Sequence, residues 1–255
     1  MGKKTAKEEM LDAIKERCKQ DVVLLPEGNS TFQFTCKACG KCCFNRTGAN
    51  SIILSPYDMF QILKHVPEPI DKNQFIKEHF VFHVGDSSAL PIIYLNEKVK
   101  DGKNICVFLE KQENSYKCKI HTYKPSVCRM YPVGRATNNL GDFAYFLQKD
   151  TCGKTTKDSD THTLDEWIPN RELSQKAFLE FSKFTTELYK VIPREVLLNL
   201  NEIVEPEVYV QIYNMFFDLL YLNYDYSKDF FSQFENNTSL VFKLFEKIAG
   251  LLKEN

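Results

Sequence analysis

Long apolar runs, glycine-rich phosphate loops and the common hydrolase signatures are all missing from this 255-residue sequence. The longest apolar stretch, 208–222, is broken by Gln211, Asn214 and Asp218, and falls short of the roughly 20 apolar residues a bilayer-spanning helix needs. It predicts a buried helix and no membrane partner. The opening Met1-Gly-Lys-Lys-Thr-Ala-Lys-Glu-Glu-Met10 is positively charged but has no apolar run behind it, so it does not read as a secretory signal, and a cytoplasmic location is expected. No Gly-x-Gly-x-x-Gly or Gly-x-x-x-x-Gly-Lys-Ser/Thr string occurs, which argues against the usual dinucleotide and nucleoside-triphosphate sites. His65, His79, His83 and His162 form no His-Glu-x-x-His pair, and no Gly-x-Ser-x-Gly elbow exists; zinc-protease and serine-hydrolase readings fail at the motif level.

Charge asymmetry is absent too. Lysine plus arginine number 33 and aspartate plus glutamate 34, so no basic surface points to nucleic acid. Glycine and proline stand at only 10 each, against 20 phenylalanines and 12 tyrosines. That balance describes an aromatic-rich folded chain without long linkers.

What the sequence does hold is cysteine. Eight of its nine cysteines fall between Cys36 and Cys152, opening with Cys36-Lys-Ala-Cys39-Gly-Lys-Cys42-Cys43. A disulfide framework would suit a short secreted chain in an oxidising compartment, and neither condition applies. Thiolates prefer zinc, copper(I) and iron–sulfur clusters, and a two-residue spacer lets both sulfurs of a Cys-x-x-Cys loop reach one ion. Gly40, directly after Cys39, can take positive φ and turn the loop as a metal knuckle requires. Neighbouring Cα atoms lie about 3.8 Å apart and adjacent side chains usually diverge, so Cys42 and Cys43 are expected to serve different metals. With Cys106, Cys118, Cys128 and Cys152 the supply reaches eight, enough for two neighbouring four-thiolate centres or one polynuclear centre. Cys18 lies on the apolar stripe Met10, Leu11, Ile14 of a helix predicted over 5–20 and reads as a packing thiol.

The coarse pattern is α+β: a small cysteine-rich antiparallel sheet with helices, then a mostly helical C-terminal half. Phe32 and Phe34 alternate with polar residues as a strand delivering the knuckle. Further strands are expected at 52–54, 90–95, 105–109, 116–120 and 143–147. The polar turn 110–115 suggests a hairpin that brings Cys106 and Cys118 together. Ser55-Pro56 and Asp71 read as helix starts. Pro125 and Pro132 bracket a short helix carrying Cys128, whose first-turn N–H groups, with Arg129, would favour thiolate. Lys37, Lys41, Arg46 and Arg135 are further candidate neutralising charges. Helices are expected near 172–191, 205–222 and 238–253, with Phe178, Phe181, Phe184, Phe216, Phe217 and Phe242 as their core. The implied division is a lead-in over 1–30, a cysteine-cluster domain over 31–160 and a helical region over 161–255.

The string Cys36-x-x-Cys39-x-x-Cys42-Cys43, then Cys106-Val-Phe-Leu, then Cys118-Lys-Ile-His-Thr-Tyr-Lys-Pro125-Ser-Val-Cys128-Arg-Met-Tyr-Pro132, resembles the YkgJ-like CxxCxxCC cysteine-cluster family. That family is described as zinc- or iron-chelating and includes flagellin lysine N-methylases. The resemblance covers about half the chain, from Phe32 to Cys152. It implies an iron–sulfur cluster or iron as first choice of cofactor and zinc as the alternative. It also implies a protein or peptide substrate, with S-adenosylmethionine as methyl donor, or redox chemistry at the cluster. The class-distinct alternative is a zinc-stabilised interaction or metal-handling module without catalysis. Two positions depart from the family pattern: His121 stands where it usually has tyrosine, and Lys124 where it has arginine. His121 follows Cys118 with Cys-x-x-His spacing, open either to ligation or to packing and a supporting hydrogen bond.

Overall fold

The computed structural model describes residues 5–18, 22–25, 30–44, 51–137, 143–148 and 159–254. Cys152 and Arg46, and the side chain of Cys18, lie outside the described residues. The fold is α+β, with small antiparallel sheets and a helical C-terminal region. The chain forms two compact units, each drawn from separate stretches: 1–44, 109–121 and 126–173 in the first, and 45–108, 122–125 and 174–255 in the second.

In the first unit a three-stranded sheet pairs Val22–Leu25 and Val133–Thr137 with opposite edges of Phe143–Gln148. The central strand reads Phe143-Ala-Tyr-Phe146, four consecutive buried residues, the continuous apolar pattern expected when both faces of a strand are covered. The helix Ala6–Cys18 packs against this sheet. A second, two-stranded sheet joins Thr31–Gln33 to Thr161–Thr163, and a hairpin joins Leu109–Lys111 to Tyr116–Cys118. Leu25, Phe32, Phe34, Met130, Val133, Phe143, Tyr145, Leu164 and Ile168 close one core over these pieces. Alternation does what the sequence suggested: Phe32 and Phe34 are buried while Thr31 and Gln33 face solvent. Trp167 borders that core, edge-on to Phe32 and Phe34 at 5.8 and 5.5 Å. Its indole N–H donates to the Met130 carbonyl at 2.9 Å. The one-turn helix Leu164–Trp167 that carries it starts with a capping box, Thr163 and Glu166 each accepting from the other's backbone N–H.

In the second unit the strand Pro91–Leu95 runs between Ile53–Leu54 and Phe80–Val84. Ser55 caps the helix Pro56–Lys64, with Pro56 in its first turn, and the cap is reciprocated by Asp58. Asp71 caps Lys72–His79. A further hairpin pairs Glu97–Lys100 with Lys103–Cys106 through the two residues Asp101 and Gly102, whose positive φ values of 51° and 70° are those of the tight turn that matches strand twist. The helical region comprises the remainder of Arg171–Val191, then Arg194–Leu198, Leu200–Ile203, Pro206–Phe217, a π-turn over Asp218–Leu222, and Phe230–Glu254. Phe184, Phe216 and Phe245 are buried among these helices, whereas Phe178 is exposed. Tyrosine hydroxyls from the helices donate to the carbonyls of Ser88, Ala89 and Pro91, from Tyr189, Tyr213 and Tyr221 at 2.8, 2.9 and 3.1 Å. They satisfy backbone acceptors that burial would otherwise strand.

Three expectations change. The stretch 208–222 is not buried all round: Ile212, Tyr213 and Phe216 are buried, but Val208, Val210 and Met215 are exposed, so the helix is amphipathic. Among the described residues, no helix is long and apolar enough to cross a membrane. The hairpin around 110–115 places Leu109 opposite Cys118, while Cys106 belongs to the other hairpin, opposite Glu97. The last helix begins at Phe230, eight residues before its expected start, because Ser232, Asn237 and Thr238 find hydrogen-bond partners without breaking it.

Candidate metal centre

The first unit positions its cysteines through hydrogen bonds close to them. Thr35, directly before Cys36, is tied to Asp160 twice: its hydroxyl donates to the carboxylate, and the Asp160 N–H donates back to the hydroxyl, both at 2.9 Å. Phe34 donates its N–H to the Asp160 carbonyl at 2.9 Å, and its carbonyl meets His162 Nε2, also at 2.9 Å. The chain therefore enters the knuckle from a fixed strand end.

Between Cys36 and Cys43 the backbone turns through two left-handed residues, Ala38 at φ 49° and Gly40 at φ 72°. The positive φ expected of Gly40 is present, and glycine is needed there on a second count. A Cβ at this position would stand 2.9 Å from Tyr116 Cγ and 3.0 Å from Phe44 Cε2, and Tyr116 and Phe44 themselves meet edge to face at 5.5 Å. The Tyr116 N–H donates to the Ala38 carbonyl at 2.8 Å, which pins the knuckle against the strand Tyr116–Cys118. Lys41–Cys43 then forms one 3-10 turn, closed by the Cys43 N–H donating to the Gly40 carbonyl at 2.8 Å.

That turn overturns the divergence expected of the adjacent pair, since Cys42 Sγ and Cys43 Sγ are 3.8 Å apart. Two thiolates on one tetrahedral ion with bonds of about 2.3 Å are separated by about 3.8 Å along the edge of the tetrahedron. The vicinal sulfurs have the spacing of one ion's ligands.

The described cysteines, Cys36, Cys39, Cys42, Cys43, Cys106, Cys118 and Cys128, are all outside disulfides. Cys36 is exposed; Cys39, Cys42, Cys43, Cys118 and Cys128 are half-buried. Cys118 ends its strand, and Cys128 is the third residue of Ser126–Met130. That helix is a single turn, so it sums few peptide dipoles and stabilises a thiolate less than a longer helix would. Its orientation is set by its C-terminal neighbours: Met130 accepts from Trp167, and Tyr131 packs edge-on against Phe34 at 6.3 Å. His121 opens the exposed turn His121–Tyr123. Of the charges expected nearby, Arg135 lies over the Phe143 ring at 5.3 Å. Lys37 and Lys41 are exposed.

Cys106 belongs to the second unit and is 8% exposed. Among the described residues no three His, Cys, Asp or Glu side chains already stand together as a ready-made metal cage. The donor chemistry nevertheless fits a thiophilic ion: reduced sulfurs, a fixed knuckle, and one pair at ligating separation. Asp160 and His162, which belong to no motif, fix the chain beside Cys36. Only their spatial return to Phe34 reveals them.

A cysteine-cluster α+β protein is thus the class that fold and site define. Residues 35–157 match the CxxCxxCC family model, described as "Putative zinc- or iron-chelating domain". No curated protein and no solved structure matches the chain.

Proposed function

We propose that the protein chelates iron or zinc through the thiolates of its first unit, in a centre of more than one metal ion. The 3.8 Å separation of the Cys42 and Cys43 sulfurs, at the end of a clamped Cys-x-x-Cys knuckle, carries this reading. Cys36, Cys39, Cys42, Cys43, Cys118 and Cys128 together outnumber the four ligands of a single tetrahedral ion. Sulfide-bridged iron uses such a surplus by distributing thiolates over several metals. Ligands not yet gathered are drawn in as metal binding is coupled to folding.

Iron–sulfur is the first form of this centre. It would serve electron transfer or the modification of a protein or peptide, with S-adenosylmethionine as the donor that the family resemblance implies. Zinc is the second, closing the thiolates into a structural module that binds a partner. Purification without oxygen, followed by metal and acid-labile sulfide analysis and a visible spectrum, tests the proposal. Brown protein with iron and sulfide supports the first form, and colourless protein loaded with zinc the second. A protein that holds neither metal, even after anaerobic reconstitution, overturns both.

A further inference from the structure

A groove of about 570 Å³ runs between the helices Arg171–Val191 and Phe230–Glu254, lined wholly by residues of the second unit. The two helices lie side by side in the same direction, with the Lys176 ammonium over the Phe231 ring at 4.1 Å and Phe184 beside Phe242 at 5.5 Å. Phe184 and Phe234, both buried, form the floor. One wall presents the stripe Lys176, Glu180, Lys183 and Glu187, and the other presents Phe231, Glu235, Thr238 and Phe242. Both stripes step by four, three and four residues, the spacing that keeps side chains on one seam facing another helix.

Each stripe is complementary to itself when turned end over end. The first alternates plus, minus, plus, minus from Lys176 to Glu187, so an antiparallel copy sets Lys176 against Glu187 and Glu180 against Lys183. The second sets Phe231 against Phe242 and Glu235 against Thr238, and no like charges meet. The midpoint of the first stripe lies as far beyond Lys176 as that of the second lies beyond Phe231, and these two residues touch. One two-fold axis perpendicular to the helices therefore serves both stripes, which is the condition for an isologous interface. A parallel copy would oppose every charge to itself.

Within one chain the central charges are not used. Among the described residues neither Glu180 nor Lys183 forms an ion pair, and the contacts that i, i+4 spacing offers, Lys176 to Glu180 and Lys183 to Glu187, are not made. Both run in the weaker order, lysine before glutamate. Glu187 instead meets Lys190 of its own helix at 2.7 Å, an exposed pair of little worth.

We propose that a second copy of this chain docks on this face, antiparallel about that axis, closing the phenylalanine-lined groove with two kinds of interchain ion pair, each made twice. The inference does not depend on which metal the first unit holds.

The test is sedimentation equilibrium on the full chain, purified without oxygen, from nanomolar to high micromolar concentration. The wild type is expected to reach twice the 29.7 kDa chain mass. Glu180→Lys and Lys183→Glu each turn two interchain pairs into like-charge contacts, and each is expected to raise the dissociation constant about tenfold. The double variant Glu180→Lys/Lys183→Glu restores opposite charges across the axis and is expected to return the constant to near the wild-type value. Far-ultraviolet circular dichroism is expected to be the same for all four proteins, since both positions face the groove rather than the core. Wild-type chain that stays monomeric throughout overturns the inference. So do single variants that dimerise as the wild type does, which would place the dimer on another face. A double variant as weak as the single ones overturns the antiparallel register.

Discussion

Cys42 Sγ lies 3.8 Å from Cys43 Sγ, although the two residues are adjacent in the chain. If they share one ion, Cys42→Ser and Cys43→Ser are each expected to lose the same metal: one equivalent where the ions are separate zincs, the whole cluster where sulfide bridges the irons. Metal analysis of the two single variants and of the double variant checks this. A double variant that loses twice as much as either single one would place the sulfurs on different ions.

Gly40 and Gly102 have nearly the same left-handed φ, 72° and 70°, but different surroundings. Nothing lies within 4 Å of a Cβ placed at Gly102, whereas one at Gly40 is 2.9 Å from Tyr116 Cγ. Gly102→Ala is expected to cost about 1 kcal/mol for the conformation alone. Gly40→Ala is expected to cost more, because the ring must also move and the knuckle it supports is displaced. Urea unfolding followed by circular dichroism, with metal content measured on the same samples, separates the two.

Alkali is expected to act on the second unit through its tyrosines. Burial pushes Tyr226 up to about 12, and Tyr213, Tyr221 and Tyr224 higher still. Each is deprotonated more readily in the unfolded chain, near the ordinary value of 10. Between 10 and the folded values the native state therefore binds more protons, and stability falls as pH rises. Their contribution is fully present below pH 10 and is lost as pH rises through the folded values, Tyr226 first at about 12 and the other three above it. Ultraviolet titration of tyrosinate alongside far-ultraviolet circular dichroism is expected to show delayed, cooperative ionisation coinciding with unfolding. Tyr221→Phe, which removes the donation to the Pro91 carbonyl, is expected to cost about 1–2 kcal/mol at neutral pH and to reduce the alkaline slope.

Ser55 accepts from the Asp58 N–H at 3.1 Å and donates to the Asp58 carboxylate at 2.7 Å. Ser55→Ala is expected to destabilise the protein by about 1 kcal/mol, while the residue 55 backbone N–H keeps its donation to the Asp58 carboxylate at 3.1 Å. Thermal unfolding of Ser55→Ala beside Ser55→Thr, which keeps the hydroxyl, checks the assignment.

Local chemistry was legible in the sequence wherever one residue type answers one local need. Ser55, Pro56 and Asp71 announced helix starts; Phe32 and Phe34 announced a half-buried strand; Gly40 announced a left-handed turn. Partnership across the chain was not legible. Val22–Leu25 and Val133–Thr137 are short, and only their pairing with Phe143–Gln148 makes them strands. The cysteines signalled metal by type and spacing, but spacing alone does not orient side chains, so Cys42 and Cys43 were expected to diverge. The polar turn 110–115 points to a hairpin joining Cys106 and Cys118, whereas Cys106 lies in the preceding one, for which the sequence also holds the signal. Asp101-Gly102 is a strong two-residue turn pair, and counting back from it places Glu97 opposite Cys106.

The chain has a single tryptophan, and it lies in the first unit, donating to the carbonyl of Met130, two residues beyond Cys128. Native emission excited in the red edge of the protein band therefore comes from one place beside a candidate thiolate ligand. The protein carries its own optical reporter: an iron centre formed nearby would quench it, a zinc centre would leave it bright, and unfolding of the first unit would be seen without any label.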